Sequence, residues 1–187
     1  MKKISTVKIV LNGLMIAFVF LATYIIRIPT ATGGYVNIGD AAIIVAAILL
    51  GKNAGFIAGA IGSCIADLAA GYALYAPATF VIKGIEGYVV GLIAWKAIDA
   101  YKNKLNKNED SIRLAAAVVG AAIMVVGYFL AEAFVLSLID KSLGLTAAFT
   151  EILPNTVQGA VSVVLGYLVS TVLLKNGLQN RISNQRT

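Results

Sequence analysis

Apolar residues fill this chain in six blocks, with short polar or glycine-rich breaks between them. The blocks cover residues 8–26, 40–50, 54–72, 78–97, 114–139 and 150–174. A membrane-crossing helix needs about 20 mostly apolar residues. Five blocks meet that length. The second reaches only about half a bilayer at 1.5 Å per residue. Its approach, residues 27–39 (RIPTATGGYVNIG), carries Pro29, Gly33, Gly34 and Gly39, which argue against a continuous helix. The pattern predicts an all-α integral membrane protein, a six-helix bundle in a single membrane domain. A long first outer loop should fold over its mouth before a short second helix. The opening Met1-Lys2-Lys3 and its apolar run are too long for a signal segment and offer no convincing small-residue cleavage site, so they read as the first membrane helix.

Composition agrees. The chain is 59% hydrophobic, with a mean hydropathy of +0.88, which no soluble domain of 187 residues could bury. There is no histidine, which excludes His catalysis and His metal ligation. The single cysteine, Cys64, can form neither an intrachain disulfide nor a Cys-rich metal site. The net charge of +6 reflects orientation rather than nucleic-acid binding. With the amino terminus inside, Lys2, Lys3, Lys8, Lys52, Lys96, Lys102, Lys104, Lys107, Arg113, Lys175, Arg181 and Arg186 fall on the cytoplasmic side. Only Arg27 and Lys141 fall outside, and Lys83 is left within the membrane. The positive-inside rule therefore puts both termini in the cytoplasm. Residues 101–113 form the one clear polar linker, a cytoplasmic loop.

Small residues recur at four-residue spacing. Gly13 and Ala17 share a face of the first helix, Gly55, Gly59 and Ser63 one of the third, and Gly87 and Gly91 one of the fourth. Such stripes let helix backbones approach closely. On the third and fourth helices this favours packing within the bundle. On the first, docking to another membrane protein is a serious rival.

Polar groups gather at one depth. Asp67, Lys83, Glu132 and Asn155 lie roughly 8–10 Å below the outer surface, with Glu86 and Gln158 about 12 Å down. Tyr35, Tyr72, Tyr75, Phe80 and Tyr128 are near that level, and Asn37 precedes the second helix. Ionisable residues in a membrane mark functional sites by default. Aromatic faces with a few convergent polar groups suit a small, flat, polar organic molecule. Structural alternatives stand beside that reading. Lys83 and Glu86 could neutralise each other, and Asp67–Lys83 is a second possible pair. Asp40 and Glu151 read as first-turn acids capping the second and sixth helices, and Pro154 as a first-turn proline. The absence of a Gly-x4-Gly-Lys-Ser/Thr loop means that any uphill transport is powered by a partner or an ion gradient. An autonomous proton-coupled carrier using Glu132 or Asp67 is the alternative of another class, and an intramembrane enzyme is a weaker third, because no nucleophile–base set is visible.

Residues 37–92 together with Leu-Pro-Asn-Thr-Val-Gln-Gly (153–159) resemble the substrate-binding S components of energy-coupling factor (ECF) vitamin transporters. The specific pieces are Asn-x-Gly-Asp at 37–40, Ala-Asp-Leu-x-x-Gly-Tyr at 66–72 and Ile-Lys-Gly-x-Glu-Gly at 82–87. The resemblance implies a non-catalytic subunit, without cofactor or metal, in the bacterial plasma membrane. It implies a vitamin site that the first outer loop closes, a membrane T component and two cytoplasmic ATPases as partners, and toppling to release substrate inside. Gly13 and Ala17 match the family's Ala-x-x-x-Ala docking stripe, with glycine in place of the first alanine. The 82–87 stretch looks most like the pyridoxine or hydroxymethylpyrimidine subgroup, with riboflavin-type relatives nearby. The candidate substrate-binding residues, chosen by depth and side-chain chemistry, are Tyr35, Asn37, Asp67, Tyr75, Lys83, Glu86, Tyr128, Glu132, Asn155 and Gln158.

Overall fold

The computed structural model describes residues 6–102 and 109–176, with side chains placed for 6–96 and 109–176. Within them, α1 spans Thr6–Ile25, α2 Gly39–Leu50, α3 Lys52–Ala70, α4 Ala76–Lys102, α5 Glu109–Leu130 and α6 Leu145–Lys175. All but α2 are long and apolar enough to cross a membrane. The protein is an all-α, multi-pass integral membrane protein. Of the cytoplasmic cations, Lys2, Lys3, Lys104, Lys107, Arg181 and Arg186 lie outside the described residues, as does the side chain of Lys102.

α2 is the hub. Residues Ala42 through Leu49 are all buried, and α1, α3, α4 and α6 pack around it. A helix that is apolar all round belongs in the core of a bundle. Because its 12 residues span only about 18 Å, its amino terminus, bearing Asp40, begins well inside the bundle. Gly51 alone separates α2 from α3. Its φ of 95° turns the chain without a Cβ penalty, and a Cβ there would meet the Trp95 ring. α3 ends at Gly71, a left-handed cap (φ 87°) whose N–H reaches back to the Asp67 and Leu68 carbonyls.

Internal packing uses the glycines of α3 and α4. A Cβ on Gly55 would sit 2.4 Å from the Gly87 carbonyl oxygen, and one on Gly59 would sit 2.3 Å from that of Lys83. Gly62 does the same against Ile16 and Val19 of α1. α1 itself is peripheral. Only Val19 and Thr23 are buried on it, Gly13 and Ala17 lie on its exposed face, and a Cβ on Gly13 would meet nothing described within 4 Å.

Several boundaries depart from the sequence expectation. The polar linker 101–113 is shorter than it reads, because α4 continues to Lys102 and α5 starts at Glu109. There Arg113 pairs with Glu109 (2.8 Å) and with Asp110, one turn back on its own helix. The fifth block is not one α-helix. It passes through a π-turn, Ala131–Val135, and a 3-10 turn, Leu136–Leu138. α6 begins at Leu145, five residues before the block expected at 150. Pro154 and Glu151 therefore sit beyond its first turn, and Pro154 is an interior proline rather than an amino-terminal one. The outer loop contains a small antiparallel hairpin, β1 (Arg27–Pro29) with β2 (Tyr35–Asn37), Ile28 opposite Val36. Three-residue strands next to Pro29 are too short for alternation to announce them.

Candidate substrate site beneath the outer hairpin

The hairpin lies over a cleft of about 480 Å³, counted with its open mouth. Three hydrogen bonds fasten it to the bundle. The Thr32 hydroxyl donates to Glu151 of α6. The Tyr35 hydroxyl donates to Asp67 Oδ1 of α3. The Asn37 backbone N–H donates to Gln158 Oε1 of α6 at 2.7 Å. Burial and the neighbouring Asp67 carboxylate hold the Tyr35 phenol well above its ordinary range, so it remains the donor. Tyr35 also packs on Tyr72, ring centroids 4.6 Å apart.

At the floor, the short reach of α2 decides the chemistry. Asp40, buried to 1% exposure, accepts a hydrogen bond from Lys83 on one oxygen and, at 2.8 Å, from Gln158 Nε2 on the other. Asp40 was expected as a cap. Instead Ile38 occupies the cap position with no side-chain bond, and the Asn37 amide oxygen takes the Gly39 N–H at 2.8 Å. Lys83 also faces Glu86 at 3.5 Å, and its ammonium lies 5.3 Å from the Tyr128 ring centroid. The Asp67–Lys83 alternative does not form an ion pair, since Asp67 is engaged by Tyr35. Thr79 and Tyr128 share a hydrogen bond of 3.0 Å on the α4–α5 side.

Tyr35, Asn37, Asp67, Tyr75 and Lys83 line the cleft from one side. Tyr128, Glu132, Asn155 and Gln158 line it from α5, its π-turn and α6. Glu86 does not. It is fully buried behind Lys83, beside Gly120. Phe80, expected at this level, turns outward and meets Phe56 edge-on instead. Glu151 was assigned to helix capping, yet it lines the cleft. It does so because α6 starts a turn earlier than its apolar block. Thr23, Ser63 and Thr79 were missed, as hydroxyls in apolar helices carry no charge to draw attention. The π-turn is what presents Glu132. An extra residue in one turn rotates Ala131, Glu132 and Ala133 together into the core, and such bulges recur at functional sites. Beside it, burial and the Glu132 and Glu151 carboxylates push the Tyr75 phenol up.

An apolar bundle of this size, with an occludable polar cleft in its outer half, is the architecture of a membrane-embedded binding subunit. The chain belongs to the S-component family, whose model, described as ECF-type riboflavin transporter, S component, matches residues 3–175. It is therefore a substrate-binding subunit of a vitamin transporter and not an enzyme. It is 35% identical over 158 residues to an uncharacterized protein from the gap 3' region of Pyrococcus woesei, 84% of this chain and 95% of that one. It is 26% identical over 165 residues to the thiamine precursor transporter HmpT of Lactococcus lactis subsp. cremoris (strain MG1363), 88% of this chain and 85% of that one.

Proposed function

We propose that this subunit binds a compact, hydroxylated pyridine or pyrimidine with high affinity, pyridoxine or hydroxymethylpyrimidine, and delivers it to an ATP-driven ECF importer. The observation that carries this is the cleft itself. It offers acids, one lysine, three amides and tyrosine faces around one cleft. A relative named for a thiamine precursor supports the pyrimidine option. Riboflavin is the second reading, favoured by the family description. The partners are a membrane T component and two ATPases. α1 supports the first of these, since its Gly13–Ala17 stripe is exposed and takes no part in packing among the described residues.

The test is calorimetry and native mass spectrometry on the purified chain against pyridoxine, pyridoxal, hydroxymethylpyrimidine, riboflavin, thiamine, biotin and folate. Tight binding of a single-ring ligand is expected. Preference for riboflavin replaces the first reading with the second. Uptake into vesicles by this chain alone, driven by a pH gradient, would instead establish an autonomous carrier.

A further inference from the structure

α3 carries Asp67 at one end, in the cleft, and Lys52 at the other, about 22 Å away along its axis. Near the Lys52 end a groove of about 820 Å³, counted with its open side, runs between α3 and α4. Asn53, Phe56, Ile57, Ile85 and Tyr88 line it. Gly84 leaves room for the Phe56 ring, which a Cβ there would meet at 2.8 Å, and Phe56 in turn meets Phe80 edge-on. Ile85 and Tyr88 are 45% and 36% exposed. Both helices are long and apolar enough to cross a membrane, so the groove opens on lipid rather than on water. Its polar end is cationic. Lys52, the first residue of α3, holds its ammonium 5.3 Å from the Tyr88 ring centroid. Exposed Lys96 lies three turns beyond Ile85 and so on the same face of α4. A Cβ on Gly91 would come within 2.5 Å of the Lys52 backbone. Lys52 therefore stands level with Gly91, and Lys96 about 7.5 Å beyond it.

Among the described residues neither lysine has an acidic partner. The acids at the start of α5, Glu109 and Asp110, are taken by Arg113. The contact with Tyr88 uses the charge of Lys52 and leaves its N–H donors available. Along the helix axes the surface thus runs from apolar walls, through a tyrosine, to two cations. A phospholipid presents the complement in the same order: acyl chain, ester region, phosphate. We propose that this groove binds an anionic glycerophospholipid, one acyl chain lying along Phe56, Ile57 and Ile85 and the phosphate between Lys52 and Lys96. The positive-inside bias puts this end at the cytoplasmic leaflet, whose anionic lipids attract lysines near the membrane surface. A zwitterionic lipid fills the apolar walls equally well but brings its own ammonium towards the lysines. The headgroup charge is therefore what the site selects.

Trp95, the single tryptophan, reports on the site. It lies two turns from Tyr88 on the same face of α4, its ring against Gly51 and its N–H on the Ile48 carbonyl at 3.0 Å. The full-length chain in phosphatidylcholine nanodiscs is titrated with phosphatidylglycerol brominated on its acyl chains, and separately with phosphatidylcholine brominated in the same way. Half-maximal quenching of Trp95 is expected at a mole fraction about tenfold lower, or less, for the anionic lipid. A lysine near the surface contributes about fivefold. Lys52→Gln should lose about that much of the preference, and Lys175→Gln, at the end of α6, none. Ile85→Phe fills the groove from an exposed position and should weaken quenching by both lipids while the melting temperature holds. Equal quenching by the two lipids, or equal losses in Lys52→Gln and Lys175→Gln, would overturn the proposal and leave the lysines a topological role alone. Unchanged quenching in Ile85→Phe would overturn it too, and loss of a co-purifying membrane protein from that variant would then give the groove to a protein partner.

Discussion

The Tyr35 hydroxyl donates to Asp67 Oδ1, 32 residues further on, and so ties the outer hairpin to the end of α3. With Thr32 on Glu151 and the Asn37 N–H on Gln158, it makes the hairpin a lid held by side chains that also line the cleft. Ligand and lid therefore compete for, or share, the same acceptors. Tyr35→Phe removes the one phenolic donor to Asp67. A hydrogen bond to a charged group contributes about 1.5–3 kcal/mol, so ligand dissociation should accelerate about tenfold or more. Stopped-flow release measurements would show it, and an unchanged off-rate would mean that the lid is held elsewhere.

Lys83 is the keystone of the floor. Lys83→Met leaves Asp40 and Glu86 buried without their cation, which costs about 3–5 kcal/mol. A lowered melting temperature in detergent is expected. Adding Asp40→Asn should restore part of it, since one orphaned charge is then gone.

Glycines separate structure from docking. Gly87→Ala places a Cβ 2.2 Å from the Gly55 carbonyl oxygen, a backbone collision between α3 and α4 that cannot relax. Loss of monodisperse protein is expected. A Cβ on Gly13 meets nothing described within 4 Å, so Gly13→Leu adds its bulk to an exposed helix face. It should keep its melting temperature and ligand affinity yet lose co-purification with the T component and ATP-dependent uptake. Normal uptake in Gly13→Leu would remove the first helix as the docking surface.

Topology follows from the cations and can be read with thiols. In a Cys64→Ala background, cysteines replacing Ile28 or Lys141 should react in intact cells with a membrane-impermeant maleimide. Cysteines replacing Lys52 or Lys175 should react only after permeabilisation. The reverse pattern would invert the bundle.

Much of this protein was legible before any coordinates. Asp67, Lys83, Glu132, Asn155 and Gln158 could be put at one depth by counting residues, because a helix rises by a constant 1.5 Å and depth is a one-dimensional quantity. Orientation followed from a cation bias that membrane insertion enforces. Two acids were misread, each for its own reason. Asp40 does stand in the first turn of α2, but its carboxylate turns to Lys83 and Gln158 instead of capping, while Glu151 stood at a block start that is not a helix start. α6 begins five residues above its apolar block, with Ala147 and Ala148 buried in that added stretch and Ala147 joining Leu136 and Leu143. The π-turn at Glu132 had no signal at all, since it satisfies its backbone hydrogen bonds internally and leaves the apolar composition unchanged.

The sequence by itself determined membrane residence, six helices and the polar layer, since hydrophobicity and rise per residue depend only on the order of residues, and it set the expectation of inside-facing termini. Only the tertiary structure decided which partners meet in that layer: Lys83 with Asp40 rather than Asp67, Tyr35 with Asp67, Glu86 behind the wall and Glu151 within it. Those pairings depend on how each helix is rotated about its axis. The rotation is set by α3 and α4 closing glycine to glycine around a short buried α2, a three-dimensional packing constraint that residue spacing does not contain.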